Sequence, residues 1–209
     1  MALKVVTTED ATKAEVLRHP AKDVQFPLSP EIKTLIEEMQ VIIHDLKGSG
    51  LAAPQVGQGI RLIIFQVSPY AVIIRPDALE EVPLTTLINP SYEPVEEEGK
   101  TEDWEGCFSL TEIIGKVPRY NTILYKGFDE HGRPIEGEAR GYLARILQHE
   151  IDHTRGVIIT DILKPENLQG HPRDLMALRQ KDTDAQHEKH AKKSASPKGQ
   201  DPIDDIAED

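Results

Sequence analysis

The sequence contains a single cysteine, Cys107, among its 209 residues. No intrachain disulfide can form, which fits a reducing compartment and leaves one thiol as a candidate ligand or nucleophile. No run of 18 uncharged apolar residues is present, and the first residues, MALKVVTTED, lack the apolar stretch of a secretory signal. We therefore expect a cytoplasmic protein that does not enter a membrane.

Positive charge is also scarce, since 24 Lys and Arg stand against 36 acidic residues and the net charge is −12. Nucleic-acid phosphates need clustered Lys and Arg, so a general nucleic-acid binder is disfavoured. Residues 181–209 hold five lysines, eight acidic residues and no aromatic residue. Such a segment buries too little apolar surface to offset its ordering entropy. We predict a folded domain over residues 1–178 and a charged, disordered tail over residues 179–209.

Apolar periodicity predicts two clear helices in the folded domain. The first begins after Ser29, which can act as its N-cap, and ends before Gly48; the second spans roughly 140–154 and ends before Gly156. A third is predicted near 165–180. Short strand-like runs fall near 60–67, 85–89 and 121–128, and DEHGRPI at 129–135 is typical of a turn between strands. Helices separated by short strands, without βαβ alternation, indicate an α+β domain.

The stretch QHEIDH places two histidines four residues apart within the second helix. Side chains at i and i+4 project from one face, so His149 and His153 can bind one ion as neutral imidazoles. Glu150 lies beside them and can take a proton from a water that the metal activates. The alternative is a solvated helix face that carries histidines and acids without a ligand.

An apolar strip on the same helix favours the metal site over the solvated face. Tyr142 and Ile146 lie seven and three residues before His149, so apolar side chains lead up to the histidines. Ligands that border buried apolar surface are typical of a catalytic metal pocket. Each of the two residues is equally compatible with a place in the ordinary core.

A catalytic metal usually takes three protein ligands, so a third is needed. The protease pattern HExxHxxGxxH requires a histidine where this chain has Ile159, and Glu166 is the nearest downstream glutamate. Cys107, in WEGCFSL, offers a thiolate, which is a strong ligand for a divalent transition metal. A free cysteine is more often a small buried hydrophobe, but the adjacent Gly106 allows close backbone approach. A Cys-His-His set is the natural constellation.

Three stretches together resemble the peptide deformylase family: GSGLAAPQVG (48–57), EGCFS (105–109) and QHEIDH (148–153). The family's motifs have the forms GxGLAAxQ, EGCxS and QHExDH, in the same order. The resemblance covers roughly residues 15–165 and leaves the tail out. It implies small antiparallel or mixed sheets packed around a central helix that carries HExxH, with the metal-dependent catalytic domain in residues 1–178.

The resemblance also implies roles for individual residues. Cys107, His149 and His153 correspond to the family's metal ligands, and Glu150 corresponds to its general acid and base. The oxyanion donors would be the Gln55 side-chain amide and the backbone N–H of Phe108. Gly50 would offer backbone hydrogen bonds to the bound peptide. Tyr142 and Ile146 would form walls for the methionine side chain.

The reaction implied is hydrolysis of the N-formyl group from the N-terminal methionine of newly synthesised proteins, with release of formate. One divalent ion per chain is expected, usually Fe²⁺, with Ni²⁺, Co²⁺ or Zn²⁺ able to substitute. The partners implied are formyl-methionyl nascent polypeptides and, transiently, the ribosome. We expect a monomer with no direct nucleic-acid specificity.

Two other functions stay open at this point. A metalloprotease would use the same HExxH helix with a different third ligand, and it would cut internal peptide bonds. A catalytically silent relative would capture nascent chains without hydrolysis. The segment 68–84, longer than in compact members of the family, is predicted to be either a loop that borders the cleft or an inserted strand.

Overall fold

The structure, a computed structural model, describes the backbone of residues 3–194 and side chains as far as residue 188. Its helices are α1 (Pro30–Asp45), α2 (Pro69–Ile74), α3 (Gly141–Thr154), α4 (Ile159–Ile162) and α5 (Pro172–Ser194). Its strands are β1 (Gly50–Ala52), β2 (Leu62–Val67), β3 (Val82–Pro94), β4 (Lys100–Cys107), β5 (Leu110–Tyr120), β6 (Thr122–Phe128), β7 (Pro134–Arg140) and β8 (Gln169–Gly170). No helix within these residues is both long and apolar enough to cross a bilayer.

A five-stranded antiparallel sheet, in the order β1-β2-β3-β6-β7, lies between α1 and α3. Successive side chains of β2 point to opposite faces. Ile63 and Phe65 pack in the cluster that contains α3, while Leu62 and Ile64 pack in the cluster that contains α1. Both faces of the sheet are therefore covered by a helix.

Helix α1 forms where the apolar period predicts it. Leu35, Ile36, Met39 and Ile43 are buried at helical spacing, and full burial of each such side chain stabilises the fold by about 1.5–3 kcal/mol. Pro30 takes the first helical position, but the predicted cap is wrong because Ser29 makes no side-chain capping hydrogen bond.

A second, three-stranded antiparallel sheet has the order β4-β5-β8. Its β4–β5 hairpin turns through Phe108 and Ser109, and a register shift falls between Gly106 and Cys107. Bulges of this kind re-aim a side chain out of the regular ladder. The end of the hairpin thus carries Cys107 to the side of α3.

The predicted α+β class is confirmed, with antiparallel sheets packed around α3. The strand-like runs near 60–67, 85–89 and 121–128 coincide with β2, β3 and β6, and 129–133 forms the turn before β7. The segment 68–84 contains the short helix α2, and the last part of the segment already belongs to β3.

Helix α5 continues to Ser194, past residue 179 where the disordered tail is predicted to begin and past the predicted helix end near 180. The polar composition of this segment explains the difference, because polar contacts attach it to the domain. Asp182 accepts a hydrogen bond from Trp104 Nε1 at 3.0 Å and pairs with Lys116 Nζ at 2.6 Å. Residues 195–209 lie outside the described residues.

Candidate metal centre

Helix α3 holds two of the three predicted ligands on one face. Ile146, Leu147 and Ile151 anchor the helix in the core, which fixes the direction in which the histidines point. His153 is fully buried, and the His149 side chain is 11% exposed. Their rings meet edge to face with centroids 5.0 Å apart.

The three donor atoms converge as a metal ion requires. Cys107 Sγ lies 3.2 Å from His153 Nε2, and the two Nε2 atoms of His149 and His153 lie 3.3 Å apart. Bonds of about 2.0–2.1 Å to nitrogen and 2.3 Å to sulfur place tetrahedral ligand atoms about 3.3–3.6 Å from one another. The observed spacing fits a tetrahedral divalent ion. Within residues 3–188 this is the one group of three such side chains.

The two histidines favour the thiolate form of Cys107. Burial would raise its pKa, but His153 and His149 outweigh burial and keep the pKa well below its ordinary value. Burial likewise opposes protonation of His149, whereas Cys107 and Glu105 favour it, and the pKa of His149 is raised overall. A metal ion bound here would displace the proton that Cys107 and His149 share, and a thiolate with two neutral imidazoles is the donor set that soft and borderline metals prefer.

Glu105 orients His149 from behind. Its Oε2 lies 3.0 Å from His149 Nδ1, so a proton on Nδ1 leaves Nε2 as the free donor toward the metal position. Glu105 also accepts hydrogen bonds from Arg119 at 2.9 and 3.0 Å and from Arg145 at 2.7 Å. Burial opposes ionisation of Glu105, but Arg119 and His149 together lower its pKa.

Glu150 sits in a different environment on the same helix. It is 5% exposed, and its Oε2 has no hydrogen-bond partner within residues 3–188. Burial raises its pKa to about 7, with His149 and His153 acting in the opposite direction. A carboxyl group with such a pKa can both accept and return a proton near neutral pH.

Gln55 points its amide at the same position. Its Oε1 accepts the Ala52 N–H at 2.8 Å, which leaves Nε2 directed toward Cys107 Sγ at 3.4 Å. Phe108 lies in the turn between β4 and β5, and within residues 3–194 its N–H donates to no backbone carbonyl. Two neutral N–H donors therefore border the ligands.

A cavity of about 580 Å³ opens in front of the ligands. The remaining predicted residues line it, namely Gly50, Tyr142 and Ile146. Ile146 is buried and Tyr142 is partly exposed, with its hydroxyl 2.8 Å from Ser49 Oγ.

Several residues of this region are not anticipated from the sequence. They are Arg119 and Arg145, which hold Glu105, and Arg75 and Arg179, which line the cavity. Glu105 beside the glycine and cysteine is the one local signal for the first pair. The arginines lie 14 and 40 residues away from Glu105 in sequence, so spacing alone cannot identify them.

The two residues that a metalloprotease would need as a third ligand, Ile159 and Glu166, do not lie with the histidines. Ile159 is buried in the apolar cluster that joins α4 to the hairpin, and Glu166 is exposed. Neither belongs to the converging set of donors, which is Cys107, His149 and His153. The geometry thus favours the Cys-His-His arrangement.

Comparison with known proteins agrees with this arrangement. The family model described as Polypeptide deformylase matches residues 2–169. Peptide deformylase 1 of Nitrosomonas europaea is 43% identical over 144 residues, which are 68% of this chain and 78% of that protein. Peptide deformylase 2 of Ralstonia nicotianae is 40% identical over 166 residues, covering 74% of this chain and 91% of that protein.

A solved structure shows the same fold. The crystal structure of a peptide deformylase from Synechococcus elongatus in complex with actinonin is 33% identical and superposes with a TM-score of 0.65. The match covers 78% of this chain and 80% of that one. The family model, the sequence relatives and the fold agree, and this chain belongs to the polypeptide deformylase family.

Proposed function

We propose that Cys107, His149 and His153 hold the catalytic divalent metal of this enzyme and that Glu150 is its general base. The chain is a hydrolase that removes the N-formyl group from the N-terminal formyl-methionine of newly synthesised proteins. One observation carries the assignment of residues. Three donor atoms meet at the spacing of a tetrahedral ion, beside a buried carboxylate without a hydrogen-bond partner in the described chain.

A divalent ion in this site would lower the pKa of a water ligand and polarise the formyl carbonyl. Glu150 takes a proton from the attacking water and then returns it to the departing amine. Burial raises the pKa of Glu150 above that of an ordinary carboxyl group, which makes its carboxylate a stronger proton acceptor. Burial of the carboxylate also keeps bulk water from competing for the proton.

Gln55 and Phe108 act on the formyl oxygen as it becomes negative. The Gln55 amide is already oriented by the Ala52 N–H, so its Nε2 needs no reorganisation to donate. The N–H of Phe108 is the second donor, and it is fixed by the turn of the hairpin. Neutral donors placed in advance typically contribute about 10²–10³-fold in rate each.

The peptide substrate lies along β1. This strand is at the edge of the five-stranded sheet, and its first residue, Gly50, lines the cavity. An edge strand can pair with an extended peptide through backbone hydrogen bonds. Tyr142 and Ile146 then form the wall against which the methionine side chain packs.

We assign Fe²⁺ as the native ion, with Ni²⁺, Co²⁺ or Zn²⁺ able to replace it, since a Cys-His-His set accepts all four. The substrates are formyl-methionyl nascent chains met in the cytoplasm, with transient encounters at the ribosome. The catalytic domain is assigned to residues 1–178, from which α5 continues to Ser194.

The test is formate release from formyl-Met-Ala-Ser, with protein purified anaerobically and loaded with Fe²⁺ or Ni²⁺. We expect Glu150→Ala to bind one metal per chain yet lose about 10²–10⁴-fold in turnover. Glu166→Ala is the matched control, since it removes an exposed glutamate outside the cavity and should leave turnover unchanged. Cys107→Ala should lose metal affinity.

Three outcomes would contradict the assignment. Near-normal turnover by Glu150→Ala would show that another group is the base. Absence of formate despite one bound metal per chain would point to a silent relative that captures nascent chains. Cleavage of an internal peptide bond without formate would identify a metalloprotease.

A further inference from the structure

Basic side chains border the catalytic cavity of a chain whose net charge is −12. Lys47 and Arg179 lie on its rim, and Arg75 and Arg145 lie deeper in its wall. The first two come from the end of α1 and from α5. Four basic residues therefore line the cavity, together with two acidic residues, Glu105 and Glu150.

Two of these cations are neutralised within the protein. Arg75 pairs with Asp77 at 3.1 Å and with Asp103, and its guanidinium stacks 4.3 Å from the centre of the Tyr142 ring. Arg145 is buried and bonds to Glu105. These two side chains shape the wall and carry little free charge.

Lys47 and Arg179 differ, because no described carboxylate lies within 4.0 Å of either side chain. Lys47 has a φ of 52°, a left-handed conformation that glycine or asparagine normally supplies after a helix. A lysine there costs about 1–2 kcal/mol of backbone strain. The position therefore keeps a cation at the rim although a glycine would fit the turn more easily.

The spacing indicates which part of a substrate reaches these cations. Tyr142 lies seven residues before His149 on α3, which is about 10 Å along a helix. Arg75 stacks on Tyr142, and Arg179 lines both the catalytic cavity and an adjoining groove between α2 and α5. An extended peptide advances about 3.3–3.6 Å per residue. Lys47 and Arg179 line the same cavity as Cys107 and His149, so the residues that follow the formyl-methionine are the part of a substrate that can meet these cations.

Charge changes again farther along the groove. Asp184 and Glu188 also line it, five and nine residues beyond Arg179 on α5, or about one and a half and two and a half turns. These acids would oppose an acidic side chain that extended farther. The catalytic cavity, which Lys47 and Arg179 line, is therefore more favourable to an acidic side chain than the groove that Asp184 and Glu188 line.

We propose that Arg179, together with Lys47 across the cavity, makes this enzyme prefer formylated peptides that carry Asp or Glu at the second to fourth residue. The proposal rests on the proposed function, since it places the formyl group at Cys107, His149 and His153. A carboxylate near an unpaired cation gains attraction that an isosteric amide does not.

The experiment compares matched, C-terminally amidated peptides so that no terminal carboxylate can occupy the site. Formyl-Met-Glu-Ala-Ala, formyl-Met-Ala-Glu-Ala and formyl-Met-Ala-Ala-Glu are each paired with the peptide that has Gln in place of Glu. Formate release gives kcat/KM. We expect a Glu-to-Gln preference of about three- to fivefold at one position, the range of a single exposed ion pair. In 0.5 M NaCl the preference should shrink toward one.

Arg179→Glu should abolish or invert the preference, and Lys47→Gln should reduce it. Arg173→Glu is the matched control, because Arg173 is exposed on the same helix and lines neither cavity. It makes the same charge change and should keep the preference. Thermal unfolding and metal content of each variant show that the protein is intact.

Equal kcat/KM for every Glu and Gln pair would overturn the proposal while leaving deformylation established. A preference that Arg179→Glu and Arg173→Glu reduce equally would also overturn it, since net charge alone would then be the cause. Absence of formate from all six peptides would refute the proposed function instead.

Discussion

Two buried carboxyl groups of the site have opposite ionisation behaviour, and their neighbours explain why. Glu105 faces Arg119, Arg145 and His149, so its pKa is lowered and it stays charged. Glu150 has a pKa raised to about 7 by burial. One carboxylate is thus a fixed structural charge, and the other is free to exchange a proton.

Glu150 packs directly against Gly50, where a side chain has no room. A Cβ added to Gly50 would overlap the carboxylate of Glu150. The φ of Gly50 is not in the left-handed region, so alanine is acceptable to the backbone itself. The glycine is needed here for close approach rather than for a turn.

We therefore expect Gly50→Ala to fold and bind metal but to lose about 10²-fold in kcat, because it displaces the base by about 1 Å. The measurements are formate release, thermal unfolding and metal content. Gly59→Ala is the control, since its Cβ would meet only Val16 at 3.6 Å, away from the ligands. Normal kcat in Gly50→Ala would mean that Glu150 does not act from its observed position.

At the scale of elements, the β4–β5 hairpin is attached to α3 through buried charges. Glu105 belongs to β4, Arg119 to β5, and Arg145 and Asp152 to α3, and all four are less than 10% exposed. Arg145 also donates to the backbone carbonyls of the hairpin. The same contacts that join hairpin and helix bring Cys107 to the histidines.

This attachment predicts a double effect of Glu105→Gln. The substitution removes the negative charge that neutralises the buried guanidinium groups of Arg119 and Arg145. The free energy of unfolding should therefore fall by about 3 kcal/mol. Metal affinity should fall about 10–100-fold, because His149 loses its orienting partner. Denaturant unfolding with a chelator present separates the first effect from the second.

Glu138→Gln is the control for that variant, since Glu138 pairs with Arg140 at the surface with a side chain 46% exposed. Its effect should stay within about 0.5 kcal/mol. If Glu105→Gln were equally mild, the hairpin would have to be held by its apolar contacts alone.

Sequence patterns could predict α1, α3 and β2 because each follows a regular apolar period. The β4–β5 hairpin could not be predicted in this way. Its buried positions include Asp103, Glu105 and Arg119. Charged residues at buried positions remove the alternation of apolar and polar residues by which a strand is predicted. Their compensation comes from α3 and Arg75, which are distant in sequence.

The same limit applies to the site as a whole. The residues within the three short motifs could be located from the sequence, and the structure brings Cys107, His149 and His153 together with Gln55 and Glu150. Arg75 and Arg179 follow no motif, because they enter the cavity from α2's end and from α5. Long-range packing alone places them there.

At the scale of the whole molecule, α5 determines how far the folded domain extends. Composition predicts a tail from residue 179, yet Asp182 and Gln186 contact β4 and β5. The contact to Trp104 is useful because it is the one tryptophan of the chain, and it is 4% exposed. Its fluorescence therefore reports whether α5 is in place.

Two truncations test this extent. Ending the chain after residue 194 removes no described contact and should leave the free energy of unfolding and turnover of formyl-Met-Ala-Ser unchanged. Ending it after residue 180 removes the partner of Trp104 Nε1 and Lys116, so we expect a red-shifted emission and a loss of about 1–2 kcal/mol. Asp182→Asn in the full chain should give part of that shift by weakening the same two contacts. Identical emission and an identical free energy of unfolding in both truncated forms would show that α5 beyond residue 180 adds nothing to the fold.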